Sequence, residues 1–168
     1  MPNVNAVELT QLRSMARTLP FQRSPQAARA FLARVLLLPI PRKDADDLSL
    51  TAYIALDALR SGNGWIEGAQ HLTETMLLSR FMAEAGYGAF EPEALVACDI
   101  ALGKVFESGR LTGRWAVHAA DYEWLAAVVS LYDWQLRTAP MGVLSAAGER
   151  LERFKTGDDA PRPVKRRA

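Results

Sequence analysis

Residues 65–85 read WIEGAQHLTETMLLSRFMAEA. Trp65, Ala69, Leu72 and Met76 alternate spacings of four and three, the recurrence of one helical face, and Leu77, Leu78, Phe81 and Met82 widen that stripe. A helix of this span is about 30 Å long. Its apolar breadth predicts burial on more than one side, which makes it the expected central helix of the fold.

The flanking segments carry the same period. Upstream, a helix is expected from about Ser49 to Ser61 with Ala52, Ala55, Leu56 and Leu59 inward. Gly62 stands at its left-handed stop, and the SGNG turn (61–64) is short enough for an antiparallel helical hairpin. The preceding PIPRKDADD (39–47) reads as a solvated connector, because two prolines and a cluster of charges favour extended backbone. Before it, Ser24 and Pro25 form an N-cap and first-turn pair. The helix they open carries Ala28, Phe31, Leu32, Val35 and Leu36 on one face until Pro39. A looser stripe of Val7, Leu12, Met15 and Leu19 marks a first helix over about Asn5–Leu19.

Downstream, Gly86 and Gly88 end the central helix, and Glu91 with Pro92 opens the next. There Leu95, Cys98, Leu102 and Val105 face inward, and Gly109 is the expected stop. RLTGRW (110–115) then reads as a loop. A helix over about Ala119–Thr138 carries Tyr122, Leu125, Val129, Tyr132 and Leu136, and Pro140 ends it. A last one carries Leu144, Ala147, Leu151 and Phe154, after which Gly157 begins a tail, DDAPRPVKRRA, too polar and proline-rich to fold alone. No segment alternates with a period of two. The sequence therefore predicts an all-α, single-domain helical bundle of six or seven helices over 1–156. It divides into basic N-terminal helices at about 5–38, an acidic helical body at about 48–156, and a flexible basic tail at 157–168.

Composition narrows the function classes. With 168 residues, 49% of them apolar, the chain can bury a core without covalent staples. A single cysteine, Cys98, leaves no internal disulfide and no multi-cysteine metal site, which fits a reducing, cytoplasmic setting. The N-terminus has no apolar signal region. The longest apolar runs, Val35–Pro41 and Trp124–Val129, fall far below the ~20 residues needed to span a bilayer. Neither secretion nor membrane insertion is expected.

The formal net charge of +1 conceals a strong partition. Residues 1–43 hold Arg13, Arg17, Arg23, Arg29, Arg34, Arg42 and Lys43 against Glu8 alone, a net +6. Residues 44–160 hold nine basic and eighteen acidic side chains, a net −9, and Arg162, Lys165, Arg166 and Arg167 give the tail +4. Three uses of this asymmetry compete: the basic segment folds back on its own acidic body, contacts the body of a second copy, or binds nucleic acid. No RNP motif or zinc-finger spacing occurs. The segment after SGNG presents Trp65, Glu67, Gln70 and Glu74, a poor set for a groove-reading helix. Self-pairing, within one molecule or between copies, or association with another protein therefore leads over nucleic acid.

The chemistry-bearing residues are sparse. Glu67, His71 and Glu74 share a helical face, yet the His-x-x-Glu order occurs once and lacks a fourth ligand, so a solvated polar face is the expected reading and no metal is assigned. Cys98 with His118 would pair a thiol with an imidazole, but Cys98 lies on an apolar stripe where cysteine acts as a small hydrophobe. No nucleophile elbow, P-loop or dinucleotide fingerprint appears. No catalytic residue or cofactor is therefore expected. Arg110, Arg114 and Trp115 are the stronger candidates: two guanidinium groups beside an indole make large directional contacts with a partner. The competing reading makes Trp115 a staple to the core and pairs the arginines with Glu107 or Asp121.

LTAYIALDALRSGNGWIEGAQHLTETMLLSRFMAEAGYG (50–88) followed by ESGRLTGRWAV (107–117) resembles a group of small uncharacterised all-helical proteobacterial proteins often encoded near mobile elements. The shared features are the RSG-x-G helix end, the G-x-G turn after a long helix and the TGRW segment, and the likeness covers about Leu50–Thr138. That group has no established activity, so it transfers no functional residue. The resemblance implies a compact helical product of a bacterial accessory gene. The resulting expectation is a non-enzymatic protein-interaction or regulatory factor that uses Arg110, Arg114, Trp115, Arg13 and Arg17. The alternative is a nucleic-acid-binding regulator that uses the N-terminal arginines with Arg162, Lys165, Arg166 and Arg167.

Overall fold

The computed structural model describes residues 25–157. Six helices occur among them: α1 (Pro25–Leu36), α2 (Arg42–Ser61), α3 (Ile66–Glu84), α4 (Pro92–Thr112), α5 (Ala119–Thr138) and α6 (Met141–Thr156). No strand occurs among the described residues, so the all-α expectation holds. The anticipated helix over 5–19 and the tail beyond Gly157 lie outside the described residues. The chain divides into two compact units, one ending at Arg34 and the other beginning at Val35. In the first unit, α1 starts at the expected Pro25, and its apolar residues Phe31 and Leu32 are exposed.

In the second unit α3 is central and packs against α2, α4, α5 and α6. Ala69, Leu72, Met76 and Met82 are buried with Phe81, and only Ile66, Glu67, Gln70 and Glu84 of this helix are exposed. The breadth read in the sequence is thus used by neighbours on several sides. Around it, Leu56 and Leu59 of α2, Leu102 and Val105 of α4, Leu125, Val129 and Leu136 of α5, and Leu151 of α6 close the core. Each such aliphatic side chain, fully buried, contributes roughly 1.5–3 kcal/mol against chain entropy. Trp65 stands outside α3, half-exposed, with its ring against Gly68 rather than in the core. Phe154, expected on the buried face of α6, is 51% exposed.

Two element boundaries differ from the sequence reading. The segment 42–47 is helical, not a connector: α2 begins at Arg42, directly after Pro41 in extended conformation. Asp44 in the first turn complements the helix dipole, Arg42 and Asp46 pair at 3.8 Å one turn apart, and Ala45 and Ser49 are buried. Favourable charge placement at a helix start outweighs the solvation argument that suggested a connector. The second difference is at Gly109, which does not stop α4. The helix runs on to Thr112, and Gly113, at φ 73°, is the left-handed stop.

Polar ties cross the bundle as well. Ser49 donates to Asp133 at 2.6 Å, and Arg137 bridges Asp133 on its own helix and Asp46 on α2 at 3.0 and 3.1 Å. Burial works against ionisation of Asp133, but hydrogen bonds from Arg137 and Ser49 outweigh it and hold the carboxyl below its ordinary range. Deeper in, the fully buried Gln135 of α5 donates through Nε2 to the carbonyls of Ser79 at 2.9 Å and Tyr87 at 2.8 Å. This amide joins the C-terminal half of α3 and the turn after it to α5. Gln135→Ala is expected to destabilise the fold by about 2–4 kcal/mol through lost hydrogen bonds and an unfilled volume, measured as a lower urea midpoint with unchanged slope.

Candidate functional site

The two turns that carry the RSG-x-G and TGRW segments meet in space. The Gly64 amide donates to the Trp115 carbonyl at 3.2 Å, and the Val117 amide donates to the Leu59 carbonyl at 3.0 Å. An antiparallel bridge joins Gly64 to Trp115. Side chains could not make this approach: a Cβ on Gly64 would lie 2.6 Å from the Trp115 carbonyl oxygen and 2.3 Å from Leu59 Cδ2. The Trp115 ring then folds back on α4. A Cβ on Gly109 would lie 2.4 Å from its Cδ2, and Phe106 meets the indole edge-on at a centroid distance of 5.8 Å. Gly109 is therefore the seat of an indole inside the helix. A glycine near a helix end looks the same in sequence whether it stops the helix or admits a ring.

This clip places the sequence candidates. Trp115 is half-buried and committed to internal packing, as the staple reading had it. Arg114 emerges beside it, held through its backbone: its amide donates to Thr112 Oγ1 and its carbonyl accepts from Ser108 Oγ, each at 3.2 Å. Its guanidinium lies over Gly62, where a Cβ would be 3.3 Å from Nη2. Arg110 is on the last helical turn, not in a loop, and is exposed. The acids considered as partners do not pair with these arginines: Asp121 instead binds Lys104 at 2.9 Å. Leu111, between them in sequence, is 78% exposed, and reading 110–115 as a loop hid its place on the helix surface. Arg13, Arg17, Arg162, Lys165, Arg166 and Arg167 lie outside the described residues.

Cys98 is fully buried in the core of α4, and burial pushes its thiol up to about 11. His118 is exposed ahead of α5. Glu67 is exposed, Glu74 is bound by Lys155 at 2.8 Å, and the His71 Nε2 is buried without a hydrogen-bond partner. Burial lowers the His71 pKa, with Glu74 opposing, so the ring is neutral at pH 7. Among the described residues no group of three or more His, Cys, Asp or Glu side chains is arranged to hold a metal ion.

No protein-family model, curated protein or solved structure matches this chain.

Two outcomes follow from the clip and from Cys98. Gly109→Ala forces the indole off its seat and is expected to destabilise the protein by about 1–3 kcal/mol in chemical denaturation, despite alanine's better helix propensity. The Cys98 thiol, protonated in the fold up to about 11 against an ordinary 9.0, contributes stability that is complete below pH 9 and lost as pH rises toward 11. Cys98→Ala should flatten that part of the alkaline limb, and at pH 8 the native thiol should react with a disulfide reagent only on the timescale of unfolding.

Proposed function

We propose that this chain is a cytoplasmic protein-interaction or regulatory factor, without enzymatic activity of its own, serving as an accessory component of a bacterial, mobile-element-associated system. The observation that supports the reading is the end of α4. Leu111 is more exposed than any other large apolar side chain among the described residues, and exposed Arg110 and Arg114 flank it in sequence without a carboxylate partner there. An apolar group beside arginines that make no internal pair is a composition that protein interfaces favour, because guanidinium groups bind carboxylates bidentately and stack on rings. Trp115 serves this surface by fixing the turn that carries Arg114, not by touching the partner.

The basic N-terminal segment and the tail support the rival, nucleic-acid reading through charge alone. Affinity purification of the full chain from its host, with and without nuclease, separates the two. Arg110→Ala with Arg114→Ala is expected to leave helical circular dichroism intact and to lower the recovered protein partner about tenfold or more in both arms. Capture that is unchanged in the double variant removes this surface from the proposal. Capture that disappears with nuclease in the unaltered chain replaces the reading with nucleic-acid binding through Arg13, Arg17, Arg162, Lys165, Arg166 and Arg167.

A further inference from the structure

The helix α1 has the apolar period of a packed helix and none of the packing. Ala28, Phe31, Leu32, Val35 and Leu36 share one face, yet no residue of the helix is buried; Leu32 is 59% exposed, and Leu37, the residue after the helix, 77%. Its charges are one-sided in sign. Arg29 and Arg34 are exposed, and neither makes an ion pair among the described residues. At 3.6 residues per turn they stand roughly 100–120° to either side of the middle of the apolar face, one along each border. The outward sector between them holds only Gln26, Ala30 and Ala33. No acid occurs in the helix, nor anywhere between Glu8 and Asp44.

An apolar strip with a cation along both edges fits a surface that is apolar in depth and anionic on both sides. The clefts of the helical body do not offer one. Glu84 is already held by Arg80 and Arg150, Glu74 by Lys155, and Glu91 is the lone carboxylate of the cleft lined by Phe90, Ala94, Val128 and Leu131. The α1 helix of a second copy would set arginine against arginine. Nucleic acid offers phosphates on its outside but no apolar layer beneath them. A bilayer containing acidic phospholipid offers both, since its acyl boundary takes the leucines while its headgroup phosphates take guanidinium groups that reach sideways from the helix.

We infer that α1 lies in the surface of an anionic phospholipid bilayer, with Leu32 and Leu36 toward the acyl chains and Arg29 and Arg34 on the headgroups. No helix among the described residues is long and apolar enough to cross a membrane, so the contact is with the surface. Arg13, Arg17 and Arg23 add charge of the same sign to the same acid-free stretch. This surface is independent of the one at Arg110 and Arg114.

Vesicle sedimentation with the full chain tests it. The protein is expected to pellet with vesicles of mixed phosphatidylcholine and phosphatidylglycerol, and to stay in the supernatant with phosphatidylcholine alone. Arg29→Gln with Arg34→Gln should lower the partition coefficient at least about tenfold, and Leu32→Ser should lower it about tenfold. Both changes fall on exposed side chains, so helical circular dichroism and the urea midpoint should stay as in the unaltered chain. Arg110→Ala with Arg114→Ala should leave vesicle binding unchanged. No pelleting with the mixed vesicles, or equal pelleting with neutral ones, overturns the inference. Binding that Leu32→Ser leaves intact overturns it as well, because charge alone is then responsible, as in a contact with nucleic acid. Absent vesicle binding, a dimer that Leu32→Ser dissociates replaces the lipid with a second copy of the chain.

Discussion

A nineteen-residue helix with only four exposed positions cannot be satisfied by one neighbour, and that constraint on α3 organises everything after Leu38. A helix with a single apolar stripe can sit on a layer; a helix apolar around most of its circumference must be enclosed. Four helices therefore surround α3, and their connections have to bring each one back alongside it. The short turns at 62–65 and 113–118 meet that geometric demand.

Enclosure by apolar contact alone leaves the angle of each helix loosely defined, since dispersion is nondirectional. The polar ties supply direction. Gln135 reads two carbonyls at the end of α3, and Ser49, Asp133, Arg137 and Asp46 form a chain between α2 and α5. Glu84 receives Arg80 and Arg150, while Lys155 reaches Glu74, so α6 is held to α3 at two places along its length. Hydrogen bonding to Arg150, ahead of that to Arg80, holds the Glu84 carboxyl below its usual range. These surface pairs are individually weak; their value is in fixing register.

The helices are legible in the sequence because burial here is periodic: the pattern places α5 at its observed bounds and α3 within one residue at each end. It failed where two physical causes leave the same mark. Charges after a proline describe a solvated connector or a well-capped first turn, and only Ala45 and Ser49, buried behind Asp44 and Asp46, decide for the helix. A glycine followed by a polar turn describes a stop or a seat for an aromatic ring, and only the position of Trp115 decides between them at Gly109. That second ambiguity moved Arg110 and Leu111 from loop to helix, and with them the outward face of α4. The spacing from Val96 to Leu111 carries that signal, on the side of the helix opposite the buried stripe of Cys98, Leu102 and Val105.

The two isolated bridges, Gly64 to Trp115 and Pro39 to Pro140, bear on how this chain tolerates change in length. The first joins the α2–α3 turn to the α4–α5 turn. The second, with the Met141 amide donating to Leu38 at 2.8 Å, joins the approach to α2 to the α5–α6 turn, and Gln135 holds the remaining turn at Tyr87. Every connection in this body thus lends a backbone atom to a distant segment. Loops are usually where proteins absorb insertions; here one added residue in any of them would displace a hydrogen bond that a second element relies on. Divergent copies of such a chain would keep the lengths of their turns while their surfaces vary, and a reporter fused to this protein belongs beyond its helices, never between them.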